Sequence, residues 1–140
     1  MEVINRLVEF YTSLSLDSVE KLDQFYSKDI VFIDPAHQLS GILALKSYFA
    51  DLLQNTQECR FVINAVNQEN NTFFLTWCMV YRHKRINRGR EVSVEGISKI
   101  VIEDDLITHH RDYFDLGIMI YEQLPIVGGL IRGVKGRLAT

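Results

Sequence analysis

The spacing of apolar positions divides the chain into a helical first third and a β-rich remainder. Val3, Ile4, Leu7, Val8, Tyr11 and Leu14 recur at helical intervals and predict an amphipathic first helix. Asp17-Ser18-Val19-Glu20 has the form of a capping box with Asp17 in the cap, opening a short second helix through Leu22 and Phe25. Ile30-Val31-Phe32-Ile33 is a short β-type run that stops at Asp34-Pro35, where proline supplies no backbone donor. After a polar turn, Ser40 is expected to cap a third helix whose stripe is Ile42, Leu45, Phe49 and Leu52.

From Glu58 onward the period changes to two. Arg60–Val66, Thr72–Arg82, Glu91–Ile102 and Leu106–Asp115 are the strand candidates, separated by turn-like segments at 67–71, 87–89 and 103–105. Short turns between long strands predict an antiparallel meander. Helices first and strands afterwards is an α+β order. Helices laid across one face of a strongly bent sheet make a cone, and the inside of the cone is the natural pocket. The tail from 116 to 140 reads as a helical extension of a single domain spanning 1–140. In it Leu116–Leu124 is apolar, Pro125 breaks the run, and Ile126, Val127, Leu130, Ile131, Val134 and Leu138 line one side of a last helix. Glycines 128, 129, 133 and 136 each weaken that helix by roughly 1 kcal/mol relative to alanine, so it needs something to pack on.

Composition narrows the class. A chain of 140 residues that is 47% hydrophobic and 24% charged is globular and can bury a core. A net charge of −3 argues mildly against nucleic acid as the main partner. Cys59 and Cys78 form neither a disulfide framework nor a metal-ligand spacing, the pattern of reduced thiols in a cytoplasmic protein. The first residues lack the basic start and apolar run of a signal peptide, and no apolar stretch is long enough to span a bilayer. No zinc, nucleotide or nucleophile motif stands out, so no metal or cofactor is expected. The one basic cluster, Arg82-His83-Lys84-Arg85 with Arg88 and Arg90, reads first as a solvated hairpin tip and second as a site for an anion or acidic partner.

The candidate chemistry lies in His109-His110-Arg111-Asp112-Tyr113-Phe114-Asp115. Alternation along a strand puts His110, Asp112 and Phe114 on one face and His109, Arg111, Tyr113 and Asp115 on the other. An imidazole and a carboxylate beside Phe114 are what a polar spot in an apolar pocket would contain. Asp34 admits two readings, a proton-transfer base or a turn residue that hydrogen-bonds the backbone after it. Gly96, inside a strand, reads as a point where a ligand or a neighbouring chain approaches closely.

The order helix, helix, Val-Phe-Ile-Asp-Pro, helix, four-strand meander, Arg-Asp-Tyr-Phe-Asp resembles the SnoaL-like proteins of the nuclear transport factor 2-like, cystatin-like superfamily, up to about Leu116. Its members include polyketide cyclases, ketosteroid isomerases and limonene epoxide hydrolases, which use the interior of the cone as a site. The resemblance places Asp34 at the general-base aspartate of the ketosteroid isomerases. It places Phe10, with Tyr11 beside it, at their tyrosine and Ser98 at their acid. Asp112 is similar to one of two aspartates that position water in the epoxide hydrolases. The strand that carries their second aspartate and an arginine here reads Thr76-Trp77-Cys78-Met79-Val80-Tyr81.

The resemblance implies a catalytic group of Asp34, His110 and Asp112. Around it the ligand would meet Phe32, His37, Trp77, Met79, Tyr81, Gly96, Ser98 and Phe114. The expected function is binding of an apolar small molecule carrying a carbonyl or hydroxyl, with acid-base chemistry of isomerase, cyclase or hydrolase type. A non-catalytic ligand-sensing or protein-interaction module is the alternative. A peripheral membrane protein docked through 126–140 is the third reading. The resemblance also implies a homodimer paired through the outer sheet face.

Overall fold

The structure is a computed structural model and describes residues 2–119 and 127–139. Helix α1 spans Glu2–Thr12 and buries Val3, Ile4, Leu7 and Tyr11 of the predicted stripe together with Phe10, while Val8 and, beyond the helix, Leu14 are only partly covered. Full burial of each large aliphatic side chain contributes about 1.5–3 kcal/mol, which holds α1 on the sheet better than its propensity could. Helix α2 is short, Leu16–Val19, and is followed by a 3-10 turn at Leu22–Gln24. Its cap is Ser15 rather than Asp17: the Ser15 hydroxyl accepts the Ser18 N–H at 3.2 Å and the Ser18 hydroxyl accepts the Ser15 N–H at 3.0 Å. The reciprocal pair therefore starts two residues earlier than the sequence pattern suggested.

Strand β1 (Tyr26–Ile33) ends just before Asp34-Pro35, and a further strand β2 (Gln38–Ser40) folds back antiparallel to it. Ser40 is thus a strand residue and does not cap the next helix. Gly41 stands at that cap with φ 92°, a conformation that favours glycine. Helix α3 (Ile42–Asn55) buries Leu45 and Phe49, with Ile42 and Leu52 partly covered. The meander is β3 (Glu58–Glu69), β4 (Thr72–Arg82), β5 (Val92–Glu103) and β6 (Leu106–Phe114), as the period-two pattern indicated.

The six strands form one curved sheet in the order β2-β1-β6-β5-β4-β3. All neighbours are antiparallel except β1 and β6, which run parallel and pair Phe32 with His110. Alternation on the inner face contributes Leu75, Trp77, Met79, Val94, Ile100 and Ile107 to a core shared with α1 and α3. Beyond β6, α4 covers Leu116–Met119 and α5 covers Val127–Ala139. The rest of the apolar run to Leu124, Pro125 and Ile126 lie outside the described residues. Lys135 on α5 reaches Asp115 at 2.5 Å, whereas Val134 and Leu138 stand exposed, so this half of the tail's apolar stripe is not covered by its own chain.

Candidate ligand site

Strand β6 carries the centre of the site. His109, Arg111 and Tyr113 face solvent, and His110, Asp112 and Phe114 turn inward, as the alternation required. Pairing with β5 sets Ser98 directly opposite Asp112, and the next register pairs place Trp77 beside Gly96 and Gly96 beside Phe114. This register explains the polar contacts. The Ser98 hydroxyl donates to Asp112 Oδ1 and accepts the Trp77 indole N–H at 2.8 Å. His110 Nε2 lies 2.7 Å from the same Oδ1, and the Tyr26 hydroxyl lies 2.6 Å from His110 Nδ1.

The proton positions follow from this chain. A carboxylate only accepts, so Nε2 carries the hydrogen and Nδ1 accepts from the Tyr26 phenol. Burial, and secondarily the Asp112 charge, push the Tyr26 pKa well above its ordinary value, which keeps that phenol a donor. His110 is buried, stacked on Tyr26 with ring centres 5.8 Å apart and tilted against Phe32 at 4.7 Å. Both donors on Asp112 converge on Oδ1, leaving Oδ2 for the space in front of it.

That space is a cavity of about 30 Å³, enough for one water molecule. Asp112 is the one carboxylate among the described residues of its wall. Of the residues named from the sequence, Phe32, Trp77, Met79 and Phe114 line it, joined by Tyr11 from α1, Tyr48, Phe49 and Leu52 from α3, and Phe61 from β3. Burial first, then the Tyr26 phenol and the Asp112 charge, hold Tyr11 protonated well above its usual range. A larger surface depression of about 460 Å³ between α1 and the α2 turn is lined by exposed charges such as Arg6, Glu9 and Lys21. It contains none of the buried polar network, which borders the smaller cavity through Asp112.

Asp34 is held elsewhere. Its Oδ1 accepts the backbone N–H groups of Ala36 (2.8 Å) and His37 (2.7 Å) and lies 3.0 Å from His37 Nδ1. Its Oδ2 accepts the Tyr48 hydroxyl at 2.8 Å. The turn reading of Asp34 therefore describes its Oδ1, which is used within the β1–β2 turn, while Oδ2 is taken by Tyr48 of α3. Tyr48 stands between this turn and the cavity, and burial followed by the Asp34 charge drives its pKa far up. His37 is half exposed at the turn, with its ring 5.0 Å from that of Tyr48.

Three other expected ligand contacts are placed differently. Ser98 lies behind Asp112, and Tyr81 is buried in the core outside the cavity wall. At Gly96, a Cβ would sit 2.3 Å from the Trp77 ring, so the missing side chain makes room for tryptophan and not for a ligand. Tyr26, Tyr48 and Tyr11 hold positions in this network that no sequence motif marks. Their signal was a hydroxyl within or beside an apolar stripe: Tyr11 is four residues from Leu7, and Tyr48 is three from Leu45. A buried tyrosine must place its hydroxyl on a partner, which points to a polar cluster nearby.

Comparison with known proteins agrees with this architecture. A protein from Catenulispora acidiphila with a ketosteroid isomerase-like fold, crystallised with trimethylamine, superposes with a TM-score of 0.74 at 15% identity, covering 89% of this chain and 94% of the other. A protein assigned as a SnoaL-like polyketide cyclase from Jannaschia gives 0.71 at 15% identity, over 82% and 84%. A protein assigned as a hydroxylase from Streptomyces galilaeus gives 0.64 at 15% identity, over 82% and 87%. These identities show a shared fold. No curated protein matches the sequence. The model of the SnoaL-like domain matches residues 7–110, which runs from α1 to His110 on β6, and the chain belongs to the SnoaL-like family.

Proposed function

We propose that the cavity is a small-molecule site in which Asp112 accepts a proton from an apolar ligand bearing a carbonyl or hydroxyl. The observation that carries this reading is Asp112 itself. One oxygen is fixed by Ser98 and His110, and the carboxylate lies in a wall of aromatic rings. In this reading Oδ2 takes a proton from carbon next to the ligand carbonyl. His110 and Ser98 hold the carboxylate in place through the transfer. The Tyr11 phenol, protonated throughout, donates to the Tyr26 oxygen and so braces the Tyr26–His110–Asp112 chain behind the carboxylate. Trp77, Phe61 and Phe114 supply the apolar walls. With about 30 Å³ available, a ligand enters by displacing rim side chains.

The test is solvent exchange at an activated carbon. With 2-tetralone in D2O, the protein should accelerate loss of the α-proton signal by NMR, and Asp112→Asn should reduce that acceleration by roughly 100-fold or more. Equal rates with wild type and Asp112→Asn would refute proton transfer. The small volume of the cavity favours a second reading, binding without turnover. That reading expects 2-tetralone to quench Trp77 fluorescence without faster exchange.

A further inference from the structure

We propose that the basic hairpin between β4 and β5 recognises the anionic group of a ligand whose apolar body occupies the cavity. This rests on the cavity reading above and adds the ligand's charge to it. Arg82, Lys84, Arg85, Arg88 and Arg90 fall within nine residues that contain no acid, in a chain of net charge −3, so the remainder carries −8. Arg82 pairs with Glu58 at 3.0 Å. Lys84, Arg85, Arg88 and Arg90 are exposed and have no acidic partner among the described residues. A tip selected for solubility alone works with both signs interspersed. This one carries a single sign, opposite to that of the rest of the molecule.

The hairpin is also in the right place. Met79, in the cavity wall, lies three residues before Arg82, and Tyr81 pairs with Val92 at the last register before the turn. The Gln57 N–H donates to the Arg82 carbonyl at 2.8 Å, and Ile86 packs against the core. The turn is therefore folded against the α3–β3 junction, the same region that supplies Leu52 and Phe61 to the cavity. Internal bonds order it: the Arg85 N–H meets His83 Nδ1 at 3.1 Å, and the Arg90 N–H meets the Asn87 carbonyl at 3.0 Å. Cations presented from an ordered turn beside an apolar cavity suit an amphiphilic anion, with its carboxylate or phosphate outside and its body within. Opposite charges steer such a ligand towards the cavity over a distance set by ionic strength.

The test uses decanoate and decanol, which share a body and differ in charge. Trp77, the only tryptophan, lines the cavity, so its fluorescence reads occupancy directly. At about 20 mM salt, decanoate should bind about tenfold more tightly than decanol, and the preference should shrink to about twofold near 500 mM. The variant Lys84→Gln, Arg85→Gln, Arg88→Gln, Arg90→Gln should bind decanol unchanged and lose the preference for decanoate. An equal decanoate preference in wild type and variant overturns the hairpin assignment and leaves the cavity reading standing. If neither probe changes the fluorescence, the cavity reading fails and this inference fails with it. Hairpin-dependent binding of a single-stranded oligonucleotide with no decanoate preference would overturn the small-molecule assignment.

Discussion

Replacing Gly96 by alanine tests the packing behind the site. The new methyl would lie 2.3, 2.5 and 2.8 Å from three carbons of the Trp77 ring, closer than real Cβ contacts allow. The ring cannot simply swing aside. Its N–H is held by Ser98 at 2.8 Å, and its faces and edges meet Phe61 at 5.4 Å and Phe114 at 6.1 Å. Overpacking of this kind costs about 1–3 kcal/mol. Breaking the Trp77–Ser98 bond adds about 1 kcal/mol. Relief of glycine's unfolded-state entropy returns about 0.5–1 kcal/mol. The net destabilisation is about 1–3.5 kcal/mol, which for a domain of this size lowers Tm by roughly 3–14 °C. Urea or thermal melts followed by circular dichroism measure it, and a changed Trp77 emission in the folded state reports the displaced ring. An alanine variant with unchanged Tm and unchanged emission would refute the claim that Gly96 exists to seat Trp77.

Tyr11, Tyr26 and Tyr48 all have pKa values raised above the ordinary 10, chiefly by burial, so they favour folding below pH 10 and lose that contribution as pH rises past it. Absorbance at 295 nm should show Tyr11, Tyr26 and Tyr48 ionising only together with loss of the circular dichroism signal, with Tyr81, pushed up to about 12 by burial, also ionising late. Smooth ordinary ionisation of all six tyrosines in an intact fold would contradict the burial of these four. On the outer sheet face, Ile97 and Tyr113 pair across β5 and β6 and are each nearly half exposed, which leads us to expect a homodimer through this face. Sedimentation equilibrium should give a dimer at micromolar protein and Ile97→Lys a monomer, whereas a wild-type monomer would count against the interface.

The sequence made β6 legible because a period of two has only two answers, and one of them put His110, Asp112 and Phe114 together. The helical stripes were equally readable, since Leu7, Leu45 and Phe49 recur where a buried face needs them. Asp34 was ambiguous because a base and an Asx-type turn residue are the same amino acid before the same proline. Only the bonds to Ala36, His37 and Tyr48 separate them. Gly96 was misassigned because a missing side chain does not say what fills the space. The parallel β1–β6 pairing has no local signal: the pattern shows that a strand exists, and the pairing partner lies far along the chain. With it went Tyr26, whose role exists only once β6 lies beside it.

That pairing also has a consequence in time. Tyr26 and the histidine it supports are 84 residues apart. At about 5–20 residues per second, a ribosome exposes β1 roughly 4–17 s before β6 can reach it. During that interval β2 can cover one edge of β1, while the edge destined for β6 stays open, the kind of edge that invites pairing with another chain. Meanwhile α1 has no completed sheet to pack on. The Asp112 network therefore cannot form in a partly made protein, and the open edge of β1 is the point at which a nascent chain is most exposed to mispairing.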